Sequence, residues 1–163
     1  MPKTSYSLTQ RALHWSMALL IFFNLLFPDG MNRWHHLHRS GQPISPDDIA
    51  GANIHAFIGI LILVLAALRL IVRALSGAPA EAEGSPAVLH LVARATHAAL
   101  YLLLFAMPLS GIAAYYFGID SLGSLHGGPV KMLLWVLISL HVLGAFAQHF
   151  YWRTNALRRM TIG

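Results

Sequence analysis

The chain has 163 residues, of which 56% are hydrophobic and only 10% charged, whereas a water-soluble domain carries roughly 25% charged side chains; an ordinary soluble globule is excluded, and the length suits one domain over residues 1–163. The net charge of +5 does not mark a nucleic-acid binder, because the basic residues sit at the ends of apolar runs instead of on one face. The lack of cysteine excludes disulfides, thiolate metal centres, iron–sulfur clusters and covalent c-type haem attachment.

Four apolar runs are long enough to cross a bilayer core, which takes about 20 helical residues. They cover residues 8–27, 49–72, 87–117 and 130–152. The first is followed directly by Phe27, Pro28, Asp29 and Gly30 with no small-residue cleavage pattern, so it reads as a span and not as a signal peptide. Residues 29–48 and 76–86 read as solvated loops. The third run is longer than one crossing needs, and Pro108 and Gly111 predict a kink or an early end there. Lys3, Arg11, Arg69, Arg73, Arg94, Arg153, Arg158 and Arg159 fall on the side that holds both termini, against Arg33, Arg39 and Lys131 on the other. Basic residues near span ends are retained on the cytoplasmic side. The expected fold is therefore all-α, an integral membrane antiparallel four-helix bundle with both termini cytoplasmic.

Histidine is the unusual component. His14, His55, His97, His141 and His149 all fall within expected spans, where an ionisable side chain is costly unless it faces the interior and has a partner. Counting residues from the span ends places His14 and His97 towards the cytoplasm and His55 and His141 towards the outside. Two imidazoles meeting across an apolar core, with no carboxylate or thiol nearby, suit the axial positions of a b-type haem. With both axial positions filled, electron transfer is the expected role. No H-E-x-x-H spacing favours zinc. Gly59 and Gly144 lie about one turn from candidate ligands and would let a macrocycle approach the backbone. His149, near the cytoplasmic end, could replace His97, donate to a haem propionate, line a quinone pocket or sit at the interface.

Charged residues add two expectations. Arg11, Arg69, Arg73 and Arg94 stand at the level where propionates would need neutralising, although the orientation rule alone accounts for half or more of them. Outside, Arg33, Trp34, His35, His36, Leu37, His38 and Arg39, with His126 and Lys131 of the last connection, form a basic cluster. Arg33, Arg39 and Lys131 would there raise the encounter rate of a small anion such as superoxide. The histidine string reads equally well as a solvated loop.

The ordered text Tyr6-Ser7-Leu8-Thr9-Gln10-Arg11-Ala12-Leu13-His14-Trp15, Asn53-Ile54-His55-Ala56-Phe57-Ile58-Gly59, His97-Ala98-Ala99-Leu100-Tyr101 with Met107-Pro108-Leu109-Ser110-Gly111, and Leu140-His141, His149-Phe150 and Leu157-Arg158-Arg159-Met160 resembles the bacterial cytochrome b-561 family over essentially the whole chain. The resemblance implies two non-covalent haem b groups held by His14, His55, His97 and His141 as iron ligands. It also implies quinone-linked electron transfer in the bacterial inner membrane, and one member of the family looks like a superoxide:ubiquinone oxidoreductase. Partners would be the lipid bilayer, ubiquinone and a small donor such as superoxide, with room for a redox subunit or a homodimer. Two other classes compete: an electron-carrying anchor for a separate redox enzyme, and a haem-free transporter lined by histidine.

Overall fold

A computed structural model describes residues 5–79 and 86–162; Lys3 and most of the connection expected over 76–86 lie outside them. Helix α1, Leu8–Leu26, starts from a reciprocal cap: Ser7 Oγ accepts the Gln10 amide at 3.3 Å and Gln10 Oε1 accepts the Ser7 amide at 3.1 Å. After Pro28 the chain re-enters helix α2, Asp29–Arg39, bent 44° from α1. Residues 29–48 thus differ from the expected loop. Asp29 in the first turn and His36, His38 and Arg39 in the last match the helix dipole, so a polar segment still holds a helix.

Helix α3, Pro46–Ser76, opens with Pro46 in its first turn and a Ser45–Asp48 capping box, and it stops at Gly77 with φ +69°. Helix α4, Ala87–Phe117, runs on through the buried Pro108 and ends on the left-handed Gly118. The early end that Pro108 suggested does not occur. A proline nitrogen has no hydrogen to donate to the preceding turn, and the helix continues past it to Phe117. Helix α5, Asp120–Leu125, passes through a π turn at His126–Val130 into α6, Lys131–Phe150; Gly128 and Pro129 mark the break, with Gly128 at φ −104°, ψ −111°. A short α7, Ala156–Thr161, closes the described chain.

Helix α1 packs on α3, α3 on α4, and α4 on α6, while α2 folds back onto α3. Packing between α1 and α6 is sparse; their side chains meet instead, as Phe22 with Trp135 at 6.2 Å does. The termini share one end of the bundle. There the Tyr6 amide donates to the Arg159 carbonyl at 3.4 Å, Arg11 Nη1 to that of Thr161 at 2.9 Å and Trp15 Nε1 to that of Met160 at 3.0 Å. Helices α2 and α5 and the π turn form the far end.

The distribution of apolar side chains is that of a protein immersed in hydrocarbon. Met17, Ala52, Ile62, Ala66, Leu103 and Leu134 are buried, whereas Leu61, Leu68, Leu102, Val136 and Leu143 are exposed along the helix flanks. Helical segments satisfy their backbone groups internally, which is the condition for crossing a bilayer. Among the described residues α3, α4 and the run Asp120–Phe150 are each long and apolar enough to cross, and α1 with α2 passes that test as a bent pair.

The α2–α3 contact is a backbone contact. A Cβ on Gly30 would lie 2.6 Å from the Gly51 carbonyl oxygen and 2.8 Å from its Cα. Gly30→Ala therefore has to move one helix off the other and should cost about 1–3 kcal/mol, read as a lower unfolding temperature in detergent. Gly144→Ala, whose Cβ meets nothing within 4 Å, should leave that temperature unchanged.

Candidate functional site

The intramembrane imidazoles gather at two levels. On the side of the termini, the His141 ring of α6 lies 6.0 Å from His14 of α1 and 5.1 Å from His97 of α4, centre to centre. Towards the far end, His55 of α3 faces His126 of the π turn at 6.2 Å. Depth counting pairs His14 with His97 and His55 with His141; the structure instead places His141 with the first two and sets His126 opposite His55. The reason is the extent of the fourth span. The helical run starts at Asp120, ten residues before the expected boundary, so His141 lies twenty-one residues from its start instead of eleven and nine from its end at Phe150, much as His97 lies ten from Ala87.

From sequence, His126 belongs to a surface connection. The signal for another place was its position just before Gly127-Gly128-Pro129, a helix break followed at once by a long apolar run. That break turns the residue inward. Its Nδ1–H donates to the Met107 carbonyl at 2.9 Å, with Ser110 Oγ at 3.2 Å. Gly111 makes the approach feasible, since a Cβ there would stand 3.1 Å from His126 Cε1. His97 Nδ1 donates in the same way to the Ala93 carbonyl at 2.7 Å. An imidazole whose Nδ1 holds the proton leaves the Nε2 lone pair for a metal, and the carbonyl fixes the ring's direction. His55 is held through its backbone, whose carbonyl accepts Asn24 Nδ2 at 3.1 Å, while its Nδ1 is buried with no partner among the described residues.

A cavity of about 310 Å³ opens beside the far pair. His55, Gly59, Met107, Gly111, His126 and Lys131 line it, and α2 closes it with Trp34, His35 and His38. Trp34 stacks on His38 at 4.9 Å and meets Tyr115 edge-on at 4.7 Å, and Tyr115 donates to Asn53 Oδ1 at 2.9 Å. Of the three cations expected to steer an anion, Lys131 alone lines this cavity. Arg33 is paired with Asp48: the guanidinium is 72% exposed, but the carboxylate it binds is only 7% exposed and is also bonded by Ser45. Arg39 ends α2 away from the lining.

The remaining candidates separate. Gly59 faces the cavity, where a Cβ would have only Asn24 Nδ2 near it, at 4.0 Å, and Gly144 borders open space. His149 packs edge-on against Phe150 at 4.8 Å with its Nδ1 buried and unbonded, and makes no ring contact with the other histidines among the described residues. Arg11 is engaged by the Thr161 carbonyl.

The donor set suits haem and not a bare ion. Among the described residues no three His, Asp or Glu side chains converge as a chelate for a bare ion would require. Two imidazoles that grip one metal ion from opposite sides at about 2 Å have ring centres roughly 6 Å apart. The spacings of His55 with His126 and His14 with His141 agree with that figure, and His97 stands nearer, 5.1 Å from His141. Beside His55 and His126 the apolar cavity, with Gly59 and Gly111 on its wall, provides space for a macrocycle, so the residues there fit the group; at His14 and His141 the ring spacing carries the fit.

Comparison with known proteins agrees. Residues 5–163 match the family model described as prokaryotic cytochrome b561. The chain is 28% identical over 155 residues to cytochrome b562 of Cereibacter sphaeroides, covering 95% of this chain and 94% of that protein. It is 26% identical over 152 residues to cytochrome b561 homolog 2 of Escherichia coli, covering 88% and 68%. With a Yersinia pestis protein named "Probable superoxide oxidase CybB" it shares 28% identity over 177 aligned positions, covering 95% and 94%. Matched along nearly its whole length, and with imidazoles at two levels of an apolar helical bundle, the chain belongs to the prokaryotic cytochrome b561 family of membrane electron-transfer proteins.

Proposed function

We propose that the chain holds two non-covalent haem b groups, one between His55 and His126 and one between His14 and His141, with His97 beside the second. Electrons would move from a donor at the far end to ubiquinone at the end that holds the termini. The observation that carries this reading is the sorting of five imidazoles into two groups at different depths. The basic residues near the span ends support cytoplasmic termini and an inner-membrane setting. Each haem, when bound, supplies a reversible one-electron couple; the protein supplies everything else.

The residues divide that work. His126 and His97 are aimed by the Met107 and Ala93 carbonyls, which hold the proton on Nδ1. Met107, Pro108 and Leu134 keep water from the far site, and Gly59 gives access to the backbone. Lys131 gives the mouth a positive charge, which favours a small anion, and α2 covers it with Trp34 and His38. Superoxide suits that mouth, and the name of the Yersinia pestis relative supports the choice. The balance is simple: each superoxide gives up one electron and leaves as dioxygen, and two such electrons with two protons convert a quinone to its quinol.

Haem counting in purified protein tests the assignment. His55→Ala and His126→Ala should each lose the same one of the two haems by pyridine haemochrome and difference spectra, and His14→Ala and His141→Ala the other. Loss of the same haem from His55→Ala and His141→Ala would restore the depth-count pairing, and a colourless folded wild-type preparation would reject haem binding altogether.

The donor reading has its own test. Lys131→Gln should slow reduction by superoxide about two- to fivefold at low ionic strength and flatten the salt dependence. Arg33→Gln should instead lower the unfolding temperature in detergent and leave that rate unchanged, because Arg33 is paired with Asp48 and does not line the cavity. Unchanged rates and salt response in Lys131→Gln would remove superoxide steering from this mouth.

A further inference from the structure

At the end of the bundle that holds the termini, Arg69 and Arg73 carry fixed positive charge that no acid meets among the described residues. Arg69 lies on α3 seven residues before its end at Ser76, about 10 Å in from that end. Its Nε–H donates to Tyr101 Oη at 3.1 Å, and the other guanidinium N–H groups have no acceptor among the described residues. Arg73, one turn on, borders the same cleft, which Tyr6, Gln10 and Tyr101 complete. Gln10 is already engaged, donating to the Gly77 carbonyl at 2.9 Å.

Of the six acids, Asp29, Asp47, Asp48 and Asp120 lie at the far end, and Glu81 and Glu83 fall outside the described residues. Neither Arg69 nor Arg73 makes an ion pair among the described residues. Both are electrostatic neighbours of the imidazoles: Arg69 of His14, His97 and His141, and Arg73 of His97. A cation at that depth is retained where an anion meets it. The planar guanidinium, oriented here by Tyr101, matches a carboxylate through paired hydrogen bonds. Arg11 on α1 gives one N–H to the Thr161 carbonyl and buries its Nε without a partner among the described residues, but it does not border this cleft.

We infer that Arg69 and Arg73 form a carboxylate seat for a propionate of the haem bound at His14 and His141, with Tyr101 as the residue that positions Arg69. The inference rests on the haem reading above and adds which cations hold the group. A phosphate of an anionic lipid shares the same chemistry, so the experiment separates the two sources.

The test compares natural haem with its dimethyl ester, which lacks both carboxylates, in the full chain. Transfer to an excess of apomyoglobin gives the loss rate from the His14 and His141 site. In wild-type protein the ester should leave about tenfold faster or more, as expected for loss of a charged hydrogen bond. In Arg69→Gln the difference should shrink, and in Arg69→Gln combined with Arg73→Gln the two should leave at the same rate, both fast; the midpoint potential of that haem should fall in each because a cation near the iron is gone. Arg69→Lys should lie between. Equal loss of haem and ester from the wild type overturns the seat without any variant having to fold. An Arg69 effect that appears only in vesicles containing phosphatidylglycerol, and is indifferent to the ester, assigns the seat to lipid phosphate and overturns it too. Absence of haem from the wild type overturns the haem reading itself, and is thereby distinct from both.

Discussion

Hydrocarbon gives an imidazole no water to bond, and the rest of this structure is arranged around that constraint. A buried ring nitrogen without a partner is costly. His97 and His126 meet the cost with backbone carbonyls of α4, at Ala93 and Met107. In the first case the acceptor is the carbonyl one turn back on the same helix. In the second it is reached across the bundle, through a break at Gly128 and Pro129 and past the bare backbone of Gly111. The opposite nitrogens are then the ones left to act. Fold and chemistry are joined at these bonds, because the same carbonyl that satisfies the ring also selects its reactive face.

Charge follows a second division. Acids occupy the far end among the described residues, and there Asp48 binds Arg33 while capping α3. Arg69 and Arg73 at the other end make no such ion pair among the described residues. The asymmetry that sorts a helical protein across a bilayer therefore also leaves positive charge next to the three imidazoles of α1, α4 and α6. One sequence pattern serves both orientation and the electrostatics of the site.

The apolar runs are legible in the sequence because crossing a bilayer demands about 20 consecutive apolar residues and little else. The histidines stand out for the converse reason: few polar groups are tolerated there. Helix α2 is not legible, because Asp29–Arg39 has the composition of a loop and gains its helix from end charges and from docking through Gly30 onto Gly51. The residue facing His55 escapes a reading by hydropathy, which ignores three-dimensional return. Gly127, Gly128 and Pro129 look like the start of a span, whereas the helical run has begun at Asp120. That ten-residue difference also moves His141 from one level to the other. Depth counting along a single helix fails wherever a break inside the membrane lengthens the path.

The run from α5 through the π turn to α6 presents one histidine to each level, His126 and His141. Fifteen residues separate them, the first few in the π turn with its break at Gly128 and the rest in α6. Under the proposed ligation a single polypeptide segment thus acts as the ruler between the two redox centres. Covalent spacing along one chain would then limit how far the two centres can separate, so sliding or breathing of the neighbouring helices would alter the sheath around the electron's path more than the length of the jump.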